Sequence, residues 1–383
     1  MAYCACPLIK PASPSVRLDN KGRSVNIAPP NSSTYSPQKP KLKQTEVLQI
    51  SKVAIVGMHG RILKAEDVQQ EVQLNRDANR RLESLSSSPL VHGLLKQLVA
   101  ITDPAEFLKS IWDHSLPPNT TELQQQLLMT AKLTLTDFYA MVALHPNRPY
   151  EHNHERTFWV ERVVPMFKYL SKITGLISFK WCEVPTKSRP IATLLLDTLE
   201  SGSVRYADGL GEASHGEVIV LEASSGALSE DVSHSNGDTL KLIQSATEIL
   251  RAELLNNLDC SYSTFLRRKV MVIQTVMNKM TLSSVSLLDN ERYKVVEVRS
   301  GNIPVKWEDR YSWMRIFELL STVMNILVEQ RSVSEILKQE KNGLINVRKE
   351  DTVEQLLVSV STSIDLTVIP TDEPSPSDLQ VHE

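Results

Sequence analysis

The octapeptide Glu217-Val218-Ile219-Val220-Leu221-Glu222-Ala223-Ser224 decides how this chain folds. Val218 to Leu221 leave neither side of a strand polar, so the segment is expected at the centre of a sheet covered on both faces. Outward from it, the runs 176–184 and 203–210 read as preceding strands. Before those, 157–171 reads as an amphipathic helix with Phe158, Val160, Val164, Phe167 and Leu170 toward one side. Pro165 is expected to bend it, and Gly175 stands just past its end. On the C-terminal side, Asp238 is expected to cap a helix whose Leu240, Ile243, Ala246, Leu250 and Leu254 recur at three and four. Strand runs follow at 270–277, 282–288 and 293–299, the last two joined by an Asp289-Asn290 turn. Helices over 307–330 and 333–339, with Gly343 as a stop signal, close the pattern. The expected fold is α/β (α+β), a mixed central sheet flanked by helices.

Two acids fall where strands end. Asp208 lies late in its strand, in Tyr206-Ala207-Asp208-Gly209, and Glu222 comes fourteen residues later. If the two strands pair through the 212–216 turn, both carboxylates converge at one end of the sheet. Carboxylate oxygens, completed by water and a substrate phosphate, suit Mg²⁺. Such an ion polarises a phosphoryl oxygen and lowers the pKa of a bound water. Glu161 or Glu155, on the preceding helix, can add a third carboxylate. The plainer reading has Asp208 opening a turn with Gly209, and Glu222 closing a strand at the surface.

The order helix, three strands, helix, strand, with Asp208 and Glu222 at those positions, resembles the PD-(D/E)xK nuclease superfamily. That resemblance implies a restriction-endonuclease-like core, with Asp208, Glu222 and Glu161 as metal ligands. It also implies a lysine two residues after the second acid. Here that position is Ser224, whose hydroxyl carries no positive charge. Lys241, early in the following helix, is the expected replacement, and Lys180 a weaker one. The implied function is Mg²⁺-dependent phosphodiester hydrolysis of nucleic acid, with Asp208, Glu222 and Lys241 catalytic. The alternative, favoured by Ser224, is an inactive nuclease-like fold that binds protein or nucleic acid. The segments 155–165, 180–183, 206–209, 222–226, 238–242, 296–300 and 315–320 together resemble a multicopy family of Mucoromycota fungi, a likeness that spans about 150–340.

Composition bounds these readings. The chain has 383 residues, 41% hydrophobic and 23% charged, with a net charge of -3. Four cysteines, none in CxxC spacing, exclude a disulfide scaffold or zinc ribbon. No secretory signal or membrane-length apolar run is visible, so an intracellular protein, cytoplasmic or nuclear and without a membrane partner, is expected. Four regions are expected: a disordered basic Pro/Ser-rich tail over 1–46, an α-helical region over 47–150, the nuclease-like domain over 151–345, and an extension over 346–383 with an acidic disordered end. Charge is blocked along the sequence: 190–260 holds three basic and twelve acidic residues, and 261–310 nine basic and five acidic. An acidic block followed by a basic one suggests a cation site beside a phosphate-binding surface, with Arg267, Arg268 and Lys269 as nucleic-acid contacts. A charged guard on a strand edge explains that run equally well. His152 and His154 read as the solvated start of a helix, and His215 and His234 as loop histidines flanking the site.

Overall fold

A computed structural model describes residues 66–143, 154–188, 205–226, 229–289 and 292–355, together with three short strands. The chain divides between Gln38 and Lys39. Of the first part only β1 (Arg17–Leu18) and β2 (Ser24–Val25) are described, paired antiparallel. The rest of the 1–46 tail, His152, Asn290 and the acidic end beyond 355 lie outside the described residues.

In the second part, β3 (Val53–Ile55) pairs parallel with the outer edge of a sheet of six longer strands. These are β4 (Ser178–Pro185), β5 (Tyr206–Ala213), β6 (Gly216–Ser224), β7 (Lys269–Val276), β8 (Lys279–Leu287) and β9 (Tyr293–Asn302). The spatial order is β3-β9-β8-β7-β6-β5-β4. All contacts among the six longer strands are antiparallel except β6 with β7. The mixed, helix-flanked sheet expected from the sequence is therefore present, and β6, apolar on both faces, sits inside it.

The helices of the 47–150 region are α1 (Glu66–Arg81), α2 (Glu83–Ser86), α3 (Pro89–Ala100), α4 (Pro104–Asp113) and α5 (Glu122–Val142). Then come α6 (Glu155–Phe158), a π-helical turn at Trp159–Val163, and α7 (Val164–Thr174). Pro165 falls in the first turn of α7, directly after the π-helical turn, with Val163 and Val164 both right-handed helical at the joint. The parallel crossover from β6 to β7 is α8 (Val232–Leu255), followed by the single turn α9 (Tyr262–Phe265). Asp231, not Asp238, caps α8 by accepting from His234 N at 3.1 Å, so the helix starts six residues before Asp238. The expected pair of C-terminal helices is one, α10 (Trp313–Lys341), after a 3₁₀ turn at Trp307–Ser312.

Each strand is sorted by parity. Leu210 on β5, Val220 on β6 and Val272 on β7 pack with Leu242, Ile243 and Ala246 of α8. The alternate residues Ile219, Leu221, Met271 and Ile273 share a core with α7, α10 and the helical region, including Phe107, Leu135 and Phe317. Arg299 on β9 fastens this side: it donates to buried Glu318 of α10 at 2.6 Å, and Glu318 also accepts from Leu85 N at 2.8 Å. The helical region therefore shares one core with the sheet. Trp313 and Phe317 are buried there, and Trp307 stacks on Phe138 with ring centroids 6.0 Å apart.

Candidate functional site

Asp208, Glu222 and Gln274 form one row across β5, β6 and β7. Glu222 pairs with Gln274 in the ladder. The Gly209–Leu221 pairing carries the antiparallel register on to set Asp208 opposite Glu222. Cross-strand neighbours point to one face, here the face under α8. The expectation that the two carboxylates converge at one end of the sheet therefore holds. Gly209 does not open a turn: β5 runs on to Ala213, and a Cβ on Gly209 would lie 2.8 Å from the Trp181 ring. Glycine is needed there because the Trp181 indole rests on the strand.

The two acids differ in surroundings. One oxygen of Asp208 accepts from Ala223 N at 2.8 Å, and the residue is half-buried. Glu222 is 2% exposed. Lys241 Nζ, three residues past Asp238 on α8, reaches Glu222 Oε1 at 2.8 Å, an ionic contact made off the hydrogen-bonding direction. Burial first, and then the negative charge of Asp208, push the Glu222 carboxyl up to about 9, with Lys241 opposing. A neutral acid is thus favoured at pH 7 until a further positive charge arrives.

Ser224 is committed elsewhere. It is fully buried, donates to Asp238 Oδ2 at 2.8 Å and accepts from Gln274 Nε2 at 3.1 Å. Gln274 also donates to Ser235 O at 2.8 Å and accepts from Thr239 Oγ1 at 2.8 Å. This network pins the start of α8 to β6 and β7. Burial raises the Asp238 carboxyl, while the Ser224 bond and nearby His234 lower it.

At the rim, His234 Nε2 lies 3.3 Å from Asp238 Oδ2 and 3.4 Å from Glu155 Oε2. Glu155 Oε2 accepts from Ser225 N at 2.6 Å, just past β6, where Ser225 adopts φ 75°. The helical carboxylate beside the site is therefore Glu155. Glu161, on the π-helical turn, is exposed and makes none of these bonds. His154 caps α6 by accepting from Thr157 N at 3.2 Å, in keeping with a helix start. Lys180 pairs with Glu212 at 2.9 Å and does not reach the carboxylates. His234 flanks the site as expected, but from α8 and not from a loop, while the contributions of Asp238 and Gln274 were not expected from the sequence. The signal for His234 and Asp238 was Asp231, a cap residue three before His234 that brings 232–238 into the helix.

The basic run sits at the other end of the sheet. Because β6 and β7 are parallel, Lys269 lies beside Glu217, not beside Glu222. Arg268 is 2% exposed, pairs with Glu253 and donates to Gln330 O at 3.0 Å and Ser334 Oγ at 2.8 Å. Lys269 pairs with Glu329 at 3.1 Å, and only Arg267 of the three is exposed. The expected surface of three phosphate-contacting cations is therefore not what the run forms: Arg268 and Lys269 are spent on holding α10 and α8 to β7.

Among the described residues no helix is long and apolar enough to cross a membrane. Nor is any group of three or more His, Cys, Asp or Glu side chains among them disposed to hold a metal ion. Compared with known proteins, the chain matches no family model, no curated protein and no solved structure.

Proposed function

We propose that this site is a divergent PD-(D/E)xK-type centre that hydrolyses phosphodiester bonds of nucleic acid with a bound Mg²⁺, its lysine supplied by α8. The observation that carries the reading is the 2.8 Å contact of Lys241 Nζ with Glu222 Oε1, on the strand face that also bears Asp208. The order of α6–α7, three antiparallel strands, α8 and a strand parallel to β6 supports the same superfamily core.

The residues fit a hard divalent cation. Asp208 and Glu222 would hold it, and Glu222 is a carboxyl that burial, and then the Asp208 charge, push up to about 9. With two protein carboxylates, water and the substrate phosphate complete the octahedron, which is how Mg²⁺ is commonly bound. When bound, the ion supplies Lewis-acid polarisation of a phosphoryl oxygen and an acidified water. The chain's own part is electrostatic and positional. Ala223 N holds Asp208 in place. Lys241 keeps a cation beside the carboxylates, where charge develops on an attacked phosphate. His234, half-exposed at the rim, can take or give a proton.

Mn²⁺ calorimetry on the full chain, followed by incubation with single- and double-stranded nucleic acid and Mg²⁺, tests this. Saturable binding lost in Asp208→Asn, and cleavage lost in Asp208→Asn and Lys241→Met, are expected. Nucleic-acid binding without turnover in the wild type would favour the inactive binding module, the reading that saturated Ser224 supports. The absence of both metal binding and cleavage in the wild type overturns the proposal.

A further inference from the structure

The end of the sheet away from the carboxylates holds a second, differently built place. The β5–β6 turn, the end of α8 and the outer face of α10 enclose a cleft of about 510 Å³. Its size is that of an ordinary small-molecule site. His215, in the turn, lines it, and both ring nitrogens are closed off from solvent without a hydrogen-bond partner. Burial, and then the nearby Arg268 guanidinium, hold this imidazole down at about 4, so the ring is neutral, with one N–H donor and one bare acceptor. Buried polar atoms left unpaired are rare and costly, and a ligand that meets them recovers that cost.

The walls are cationic. Arg268, Arg331, Lys338 and Lys341 line the cleft against Glu253 and Glu335, a net charge of +2. Arg268 is occupied by Glu253, and Lys341 Nζ donates to Asn256 O at 2.7 Å. Arg331 and Lys338, seven residues apart on one face of α10, are exposed at the mouth. An imidazole in the lining with no partner of its own, two cations at the rim and walls of mostly polar and charged side chains call for a compact, multiply charged anion with several acceptor oxygens. A phosphate group meets that description.

We propose that this cleft binds a small phosphate-bearing ligand of about mononucleotide size, with the phosphate held by His215, Arg331 and Lys338. It shares no residue with the carboxylate site and does not rest on the reading of that site.

Imidazole signals of the full chain, with that of His215 assigned by comparison with His215→Gln, are followed by NMR while AMP, adenosine and inorganic phosphate are added separately. A saturable shift of the His215 signal with AMP and with inorganic phosphate, and none with adenosine, is expected. Arg331→Glu combined with Lys338→Glu, both exposed positions, should weaken AMP at least about tenfold. Three results overturn the proposal: no saturable shift at millimolar AMP, an equal response to adenosine, or unchanged affinity in the double variant. His215→Gln should lose AMP binding while keeping its thermal unfolding midpoint. Retained binding there would also sink it.

Discussion

The two ends of the sheet use charge in opposite ways. At the end where β6 finishes, a buried acid lacks enough positive charge, with Glu222 pushed up to about 9. At the end where β6 begins, a base is kept neutral, with His215 held down at about 4 first by burial and then by the Arg268 guanidinium. Roughly 19–20 Å of strand separates them, by the rise per residue over six residues of β6. In the sequence the acidic block and the basic block are contiguous, and contiguity suggests one composite surface. The parallel crossover undoes that. A chain leaving the end of β6 must travel back along α8 before β7 can start, so residues just before β7 land beside the start of β6. The residues that end the strand before a parallel crossover and those that begin the strand after it belong to opposite poles.

The sharpest way to break this comparison is at Arg268. If it is an internal clamp, Arg268→Met leaves Glu253 buried without its partner and costs about 3–5 kcal/mol of stability. The double variant Arg268→Met with Glu253→Leu should recover most of that loss, and Arg267→Met should change nothing. Urea midpoints check all three. If Arg268→Met were silent, Arg268 would be a surface cation after all, and the two poles would no longer differ in kind. At the other pole, Lys241→Met should lower metal-dependent cleavage by about 10²–10³-fold, the scale for removing one preorganised charge from a transition state. An unchanged rate would transfer its role to another cation.

Glu222→Gln sharpens the acidic pole. The folded-state pKa of Glu222 lies above its unfolded value, so the stability it contributes is complete below about pH 4.5 and is lost as pH rises toward 9. At pH 7 without metal, folding must protonate this side chain. The Gln variant escapes that requirement and should be more stable by roughly 1–3 kcal/mol, with the gain shrinking toward pH 4.5. Thermal melts in a chelator between pH 5 and 9 decide it. A destabilised variant across the whole range would mean that Glu222 is ionised and held by Lys241.

Much of the fold was legible because its signals are local. The apolar runs in β6 and β7 and the three-and-four spacing of α8 each report burial directly. The pairing of Asp208 with Glu222 was legible because a short turn fixes an antiparallel register. Three kinds of feature were not. Asp238 looks like a cap, since Asp before an apolar helical stripe usually is one, but an earlier Asp231 takes that duty and Asp238 is buried. Glu161 and Glu155 are equal candidates by spacing, and the π-helical turn, invisible in composition, leaves Glu155 at the site. Arg268 reads as one of three surface cations because its partners, Glu253 and Ser334, lie on helices distant in sequence.

The smallest expected effect separates the two meanings of Ser224. As a failed lysine position it would be dispensable to the fold. As a donor to Asp238 and acceptor from Gln274 it is part of the joint between β6 and α8. Ser224→Ala should then cost about 1 kcal/mol, the usual net value of a buried hydrogen bond. The pH dependence carries the sign. Burial already raises the Asp238 carboxyl above its unfolded value, and the Ser224 bond is the largest influence lowering it. Removing the bond raises it further, so the loss is least in acid, where Asp238 is protonated folded and unfolded alike. The loss grows as pH climbs past the carboxylate range. A variant equally destabilised at pH 4 and pH 8 would show that Ser224 acts through packing alone. One not destabilised at all would return the position to the nuclease pattern as a vacant lysine site.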